Sequence, residues 1–196
     1  MLRSMRRFSL LLAAFIIFFS QTSGAEVRLS GAGKQLSGHT FVGVRLCDLR
    51  LADTVIRDMV FEDVVAGGAH FRNIIFENCR FSRVDLSHST FENVVFRNCA
   101  LESGKNADGT LVLTTFEGSS MKDVLFEQSR LYRVRLAELQ GAGGKVSFKK
   151  MTDIVPEENY GLLLSGQELR ICVEDSQISG GKIKIHMAEK NKSFLI

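Results

Sequence analysis

The sequence predicts an all-β fold in which the chain winds into a four-sided solenoid and ends in a short C-terminal β cap. Two observations predict it. Residues 36–140 have a hydrophobic period of five, and residues separated by four such periods match one another in size and complement one another in charge. The 196-residue chain is 45% hydrophobic and 24% charged, which is the composition of an ordinary globular protein and not of a disordered one.

The five-residue period is nearly unbroken. Every fifth residue from Leu36 to Leu136 is apolar except Asn106, and all nine phenylalanines between residues 26 and 147 fall in this register. A period of five fits neither a helix, which repeats every 3.6 residues, nor a flat strand, which repeats every two. The backbone is therefore expected to turn once in every five residues.

Residues 71–73, 76–78, 91–93 and 96–98 each read Phe, a charged residue and Asn. Together with small or apolar residues two positions before each centre, such as Val44, Ile74 and Cys79, these blocks make the chain resemble the pentapeptide-repeat family. The position two after the centre is often Gly, Asp or Asn, which tolerate tight turns. The resemblance implies a right-handed solenoid with four pentapeptides in each coil.

Four pentapeptides per coil would stack equivalent residues of successive coils at about the 4.8 Å spacing of neighbouring strands. Stacked outward residues should then avoid like charges. The expected outward columns include Arg57, Glu77, Arg97 and Glu117, with further pairs of Asp85 with Lys105 and Glu102 with Lys122. The expected inward columns include Phe76, Phe96 and Phe116. Residues 102–110 keep the five-residue count but have poorly suited residues at the inward positions. We expect an irregular or locally looped coil there.

The chain divides into four predicted segments. Residues 1–25 combine a basic start, ten apolar residues from 10 to 19 and a small-x-small sequence at 23–25, which is typical of a cleaved signal peptide. An uncleaved anchor is the alternative, but ten helical residues cover only about half of a ~30 Å hydrocarbon core. Residues 26–35 form a mature N-terminal segment, 36–140 the solenoid, and 141–196 a non-repeat C-terminal region.

Signal cleavage would change the charge of the protein. Three of the 25 basic residues and none of the 22 acidic residues lie in the first 25 positions, which leaves 22 of each sign in the mature chain. A neutral chain has no long-range field to attract nucleic acid or anionic lipid. The expected location is the periplasm or the secreted space, with no stable membrane span after cleavage, no nucleic-acid partner and a protein as the partner.

The C-terminal region carries two alternating runs at 169–173 and 182–187, separated by Ser179-Gly-Gly. This pattern is typical of a β-hairpin. An open solenoid end exposes unpaired strand edges, so we expect residues 152–196 to cap the solenoid or to form a homodimerisation element.

No constellation of catalytic or metal-binding residues is found. The four histidines, at 39, 70, 88 and 186, never occur at metal-ligand spacing, and no cofactor motif is complete. Asp48, Asp53, Asp58 and Asp63 look clustered in the sequence, but five-residue steps would place them on four different sides of the rod. The chain is therefore expected not to be an enzyme.

Cys79 and Cys99 are separated by four pentapeptides and share one inward column. Stacking would bring their Cα atoms within the range that a disulfide allows, and an exported protein meets oxidising conditions. The alternative is that both are small apolar fillers of the column.

The best functional lead is an outward apolar column of Val55, Ile75 and Val95, to which Val60 and Val65 add from adjacent faces. Exposed apolar patches often mark protein contacts, although β-branched residues also favour strand surfaces for their own sake. The leading hypothesis is a non-enzymatic, exported binding or scaffolding module that acts through one flat face. The alternative, implied by the resemblance to gyrase-protecting pentapeptide-repeat proteins, is a shape-mimic inhibitor of a nucleic-acid enzyme.

Overall fold

The structure is a computed structural model. It describes residues 26–27, 30–32, 35–46, 48–140, 144–155, 162–167, 170–176, 183–187 and 194–195. The predicted signal peptide, residues 1–25, lies outside the described residues and stays a prediction.

The described residues form strands and turns throughout. In chain order the strands are β1 (Glu26–Val27), β2 (Ser30–Ala32), β3 (Gln35–Ser37), β4 (Thr40–Val42), β5 (Arg45–Leu46), β6 (Arg50–Arg57), β7 (Val60–Glu62), β8 (His70–Glu77), β9 (Arg80–Ser82), β10 (Thr90–Arg97), β11 (Ala100–Glu102), β12 (Gly104–Lys105), β13 (Leu111–Val112), β14 (Ser120–Glu127), β15 (Arg130–Tyr132), β16 (Leu139–Gln140), β17 (Lys145–Lys149), β18 (Asp153–Val155), β19 (Leu162–Gln167), β20 (Arg170–Glu174), β21 (Ile183–Met187) and β22 (Phe194–Leu195).

Parallel pairing between successive coils organises these strands. One sheet runs through β6, β8, β10 and β14, whose eight-residue strands each cover two sides of the coil, and a second runs through β4, β7, β9, β11, β15 and β18. Isolated parallel bridges from Arg45 through Val65 and Asp85 close the remaining side. The predicted all-β, right-handed solenoid is confirmed.

Each coil has four faces, which we number by their inward residues. Face 1 is centred on Leu51, Phe71, Phe91 and Met121, face 2 on Ile56, Phe76, Phe96, Phe126 and Phe148, face 3 on Phe41, Phe61, Phe81, Leu101 and Leu131, and face 4 on Leu46, Ala66, Leu86, Phe116 and Leu136. All of these residues are buried. Burial of these four columns supplies the main driving force for folding, because apolar burial is the dominant favourable term.

Aromatic rings fill much of the narrow core. On face 2 the ring centroids of Phe76 and Phe96 lie 5.0 Å apart, and those of Phe96 and Phe126 lie 4.8 Å apart, with nearly parallel planes. Phe71 stacks on Phe91 at 5.0 Å on face 1. Offset stacking of this kind adds to the stability gained from burial alone.

The corners of the coil need a left-handed backbone. Sixteen non-glycine residues in the described part of the chain have φ between 46° and 56°, and each lies two positions after an inward residue. Ten of the sixteen are Asp or Asn, the side chains that visit this region most readily. Asp48, Asp53, Asp58 and Asp63 occupy four successive corners, which separates their carboxylates around the rod.

Residues 104–113 leave the solenoid. β12 and β13 pair with each other in antiparallel fashion, and β11 pairs with β15 across this excursion, so that Leu101 stacks between Phe81 and Leu131. The base of the excursion is closed by two hydrogen bonds: Thr114 N donates to Ser103 Oγ at 2.8 Å, and Thr114 Oγ1 donates to the carbonyl of Glu102 at 2.7 Å. The predicted irregular coil is thus an inserted hairpin.

This excursion corrects the predicted stacking after residue 102. Its length equals two pentapeptides, so the five-residue period is kept while the position around the coil shifts by half a turn. Glu127, and not Glu117, follows Arg97 on face 2, and Phe126, and not Phe116, follows Phe96. Phe116 instead lies on face 4 and meets the Phe96 ring edge to face at 6.0 Å.

The two pairs predicted across the excursion are also wrong, for the same reason. Asp85 is bridged to Thr115 and not to Lys105. Lys122 stacks beside Glu92, with 3.1 Å between Nζ and the carboxylate. Glu102 forms ion pairs with two arginines of neighbouring coils, Arg80 and Arg130.

Parallel stacking extends beyond the predicted limits of the solenoid at both ends. β2 already pairs with β6, and β17 continues the sheet from β14. The predicted C-terminal hairpin is wrong: β20 pairs in parallel with β17, and β21 pairs in parallel with β19. The two alternating runs are therefore parallel strands on two adjacent faces of the solenoid. Alternation of apolar and polar residues does not distinguish a solenoid strand from a hairpin strand, because both have one face in the core.

We expect removal of residues 104–113 to leave a folded solenoid. Joining Ser103 to Thr114 restores a coil of four pentapeptides, and Ser103→Asn supplies the left-handed corner that the new connection needs. The free energy of unfolding should change by no more than about 1–2 kcal/mol, since shortening a loop alters closure entropy only slightly. Urea denaturation followed by circular dichroism measures it, with the unchanged full chain as the reference. Loss of cooperative unfolding in the deletion variant would contradict the assigned register.

Candidate functional site: face 2 of the solenoid

The predicted apolar column lies on the outer surface of face 2. Val55, Ile75 and Val95 are in-register partners on β6, β8 and β10, and all three side chains are half-buried. Leu125 on β14 continues the column. Sequence reasoning missed Leu125 because it counted four pentapeptides onward from Val95 and did not add the excursion. We call Val55, Ile75, Val95 and Leu125 the apolar column.

Val60 and Val65 do not belong to this surface. Val60 is on face 3, stacked between Thr40 and Arg80. Val65 is on face 4 and is bridged to Arg45 and Asp85. Their outward neighbours are polar or charged, so the strip predicted to extend around the rod is restricted to face 2. A role of any of these residues in partner binding stays a prediction.

A column of charged residues runs beside the apolar column, two residues further along each strand. In coil order it consists of Arg57, Glu77, Arg97, Glu127, Lys149 and Glu174, which are register partners throughout. We call these six residues the charge ladder. The sign alternates at every step, as the sequence predicted for its first three members. Each interior residue therefore lies between neighbours of opposite charge.

Direct contacts join most neighbours of the charge ladder. Arg57 Nε lies 2.6 Å from the Glu77 carboxylate, Arg97 Nε lies 2.9 Å from that of Glu127, and Lys149 Nζ lies 3.7 Å from that of Glu174. These side chains keep between about a quarter and a half of their surface exposed. Exposed pairs of this kind contribute only about 0–1 kcal/mol each. Their main effect is to leave face 2 without net charge.

Side-chain ladders at the corners border face 2 on both sides. On one side Asn93 Nδ2 donates to Asn73 Oδ1 at 3.0 Å, and Asn73 Nδ2 donates to Asp53 at 2.7 Å. On the other side Asn98 Nδ2 donates to Asn78 Oδ1 at 2.7 Å. The amides satisfy one another along the rod and keep the borders of face 2 polar, and they are uncharged in the middle coils.

A cluster of one arginine and two carboxylates lies away from face 2, at the corner that follows face 3. Arg83 Nε lies 2.6 Å from Asp63 Oδ1, and its Nη2 also reaches Glu62 at 2.7 Å. Hydrogen bonds from Arg83 lower the pKa of Asp63, with its positive charge adding to the effect. Because these contacts join adjacent coils, they stabilise the stack.

The stacking of Cys79 over Cys99 is observed, but the predicted disulfide is not: both are buried free thiols. Each Sγ points towards backbone carbonyls one coil away and in its own coil, at 3.3–3.4 Å. A hydrogen bond to Cys79 and burial raise the pKa of Cys99, which makes its reactive thiolate scarce.

The concave regions of the described coils include an apolar cavity and an open groove. An apolar cavity of about 60 Å³ lies inside the first coils, lined by residues such as Phe41, Leu51 and Met59. An open groove of about 410 Å³ lies over face 1, where Arg50, Arg72 and Glu92 mix charges of both signs.

Neither concavity gathers reactive groups. Among the residues that the structure describes, no group of three His, Cys, Asp or Glu side chains could hold a metal ion. In that same part of the chain, no helix is long and apolar enough to cross a membrane.

Comparison with known proteins agrees with this geometry. Residues 56–100 match a family model described as pentapeptide repeats, in nine copies. This part of the chain therefore consists of pentapeptide repeats. A comparison with curated proteins found no match. Among solved structures, the chain is similar to a trypsin-treated variant of QnrB1, a plasmid-mediated fluoroquinolone resistance protein. That similarity has 9% identity, covers 83% of this chain and 91% of that one, and has a TM-score of 0.21.

We expect Cys79 and Cys99 to be inert in the folded protein. They are only 2% and 3% exposed, so iodoacetamide should label neither thiol in the native state and both after unfolding in denaturant without reductant. Peptide mass spectrometry measures this directly. Labelling that appears only after a reductant is added would show that the two residues form a disulfide.

Proposed function

We propose that this pentapeptide-repeat protein is a non-enzymatic binding or scaffolding module that is exported to the periplasm or the secreted space. It binds a protein through face 2. The observation that carries the proposal is the apolar column, four aliphatic side chains in register on a flat surface. The adjacent charge ladder is neutral as a whole, so the surface favours burial against another protein over attraction of a charged polymer.

The alternative, a shape-mimic inhibitor of a nucleic-acid enzyme, requires a surface that imitates the phosphate backbone. Duplex DNA carries one negative charge per ~1.7 Å of axis. The acidic residues of the charge ladder are each adjacent to basic ones, so face 2 offers no run of negative charge. Export would also separate the protein from such an enzyme. The alternative therefore requires that the protein stays in the cytoplasm.

Localisation tests the first part of this proposal. The full chain, expressed from its own start, should be recovered outside the cytoplasm with an N-terminus at Glu26, because a basic start, an apolar stretch and a small-x-small site direct export and cleavage. Cell fractionation with intact-mass analysis measures both. Uncleaved protein in the cytoplasm would contradict export and would favour the nucleic-acid-enzyme alternative.

The substitution Ile75→Lys tests the role of face 2. Ile75 lies inside the apolar column, and burying an unpaired ammonium group against a partner is costly. We expect crosslinking to the protein partner from envelope extracts to fall by about tenfold or more while the melting temperature changes little. The matched control is Val42→Lys, which places the same charge on a 40% exposed valine of face 3.

The two variants separate the outcomes. If both lose the partner equally, the effect is one of general charge and face 2 is not the interface. If neither loses it, the partner binds another face and the proposal for face 2 is wrong.

A further inference from the structure

The charge ladder has a symmetry that its role within one chain does not require. It has six members, three basic and three acidic, in strict alternation. An alternating series of even length changes sign at every position when it is read backwards. The charge ladder of a second copy, running in the opposite direction, would therefore place an acid opposite every base.

The geometry of face 2 decides which arrangement of two copies uses this symmetry. In a two-fold dimer with antiparallel rods, with the axis in the plane of the interface and along the strands, each outward column faces the same column of the partner. The outward line that holds the apolar column, and that Ser147 and Cys172 continue, then faces the same line of the partner. The charge ladder faces the charge ladder. With parallel rods, each column would face the other one, and charged groups would be buried against aliphatic side chains at a high cost.

We propose that a second copy of this chain covers face 2, in an antiparallel two-fold dimer. The axis passes between the coil of Val95 and that of Leu125, so Val95 of one copy contacts Leu125 of the other. Further from the axis Ile75 faces Ser147, and Val55 faces Cys172. In the charge ladder Arg97 faces Glu127 of the second copy, and Arg57 faces Glu174. This inference rests on the proposed function, because it names the partner of the same surface.

The charges fix the register of the dimer as well as its direction. Coils are about 4.8 Å apart, and a slip by one coil would place like charge opposite like charge along the whole interface. A slip by two coils would restore opposite charges but would leave two ladder residues of each copy without a partner. Such repulsion discriminates strongly between registers. In the correct register each charged group has neighbours of opposite sign along its own rod and across the interface.

The area of face 2 determines the strength of the dimer. Six coils span roughly 24 Å along the rod, and the two columns are about 6.6 Å apart. The contact is therefore smaller than the roughly 1,600 Å² that stable complexes usually bury. We expect reversible dimerisation with a dissociation constant on the order of 0.1 mM, weakened by salt because the ladder charges are partly exposed.

The test uses a variant in which every sign of the charge ladder is reversed. It combines Arg57→Glu, Glu77→Arg, Arg97→Glu, Glu127→Arg, Lys149→Glu and Glu174→Lys. Alternation within the chain is kept, so the fold should be retained, and circular dichroism and thermal unfolding check it. The reversed ladder also remains complementary to itself when antiparallel. We therefore expect wild type and variant each to dimerise by sedimentation equilibrium, between about 10 μM and 1 mM.

Mixing the two proteins gives the decisive result. Wild type and variant would place like charges opposite each other at all six positions, so mixed dimers should be at least about tenfold rarer than either homodimer by native mass spectrometry. Free mixing would show that the copies associate elsewhere, for example through the C-terminal region, and would overturn the proposal. A wild type that stays monomeric at about 1 mM would also overturn it.

A second variant keeps the proposal testable if the six-fold change fails to fold. Val95→Lys alters two contacts at once, because Val95 lies beside the two-fold axis, and it should weaken dimerisation by about tenfold or more. Val42→Lys should not. If the wild type is monomeric while Ile75→Lys still loses a different protein partner, the dimer is wrong and the proposed function stands. If Ile75→Lys loses no partner and dimerisation is unaffected by Val95→Lys, both are wrong.

Discussion

In-register stacking of one coil on the next is the constraint on which the rest of the structure depends. Within the regular coils, each outward residue has neighbours directly above and below it at about 4.8 Å, and each inward residue packs against its counterpart. A substituted side chain must therefore fit against the equivalent side chains of the coils above and below it. This explains why inward columns are filled with like residues, such as phenylalanine on phenylalanine, and why like charges are excluded from the charge ladder. It also explains the corners, where Asn73 and Asn93 can satisfy each other only because they occupy the same turn.

Most of this regular part could be predicted from the sequence. The five-residue period located the inward residues, and Asp or Asn two positions later located the corners, because a left-handed backbone admits few other side chains. The excursion could not be located in the same way. Its length preserves the pentapeptide phase, so apolar residues such as Leu111 still fall in the register while they lie outside the core. The pairing of β11 with β15 and the hydrogen bonds that Thr114 makes to Ser103 and Glu102 show that the chain leaves the solenoid and returns to it at one point.

The candidate site was predictable in part, for a related reason. Val55, Ile75 and Val95 precede the excursion and were found by counting. Leu125 follows it and was missed, and the charge ladder was followed only to its third member. Val60 and Val65 were grouped with the column because a sequence count identifies outward positions but does not say what stands above and below them. The structure shows Arg80 and Asp85 there, and a valine beside charged neighbours does not make an apolar surface.

The alternation of charge in the charge ladder could follow a period in the sequence or the stacking of coils in space. The sequence spacing of its residues distinguishes these two causes. Glu77 follows Arg57 by one regular coil, Glu127 follows Arg97 across the excursion, and the steps to Lys149 and Glu174 have other lengths again. Alternation therefore follows spatial stacking and not sequence period. Repulsion within the chain is enough to explain why neighbours differ in sign.

Repulsion within the chain does not explain why the alternation runs beside four aliphatic side chains, since a column that only stabilises the stack could lie beside any residues. An apolar column next to a neutral, alternating one is the combination that a self-complementary surface needs. The apolar column provides the free energy of burial. The charge ladder favours that burial in one direction and in the register that pairs all six charges. A slip by one coil brings like charges together, a slip by two coils leaves charges unpaired, and parallel rods bury charge against aliphatic side chains.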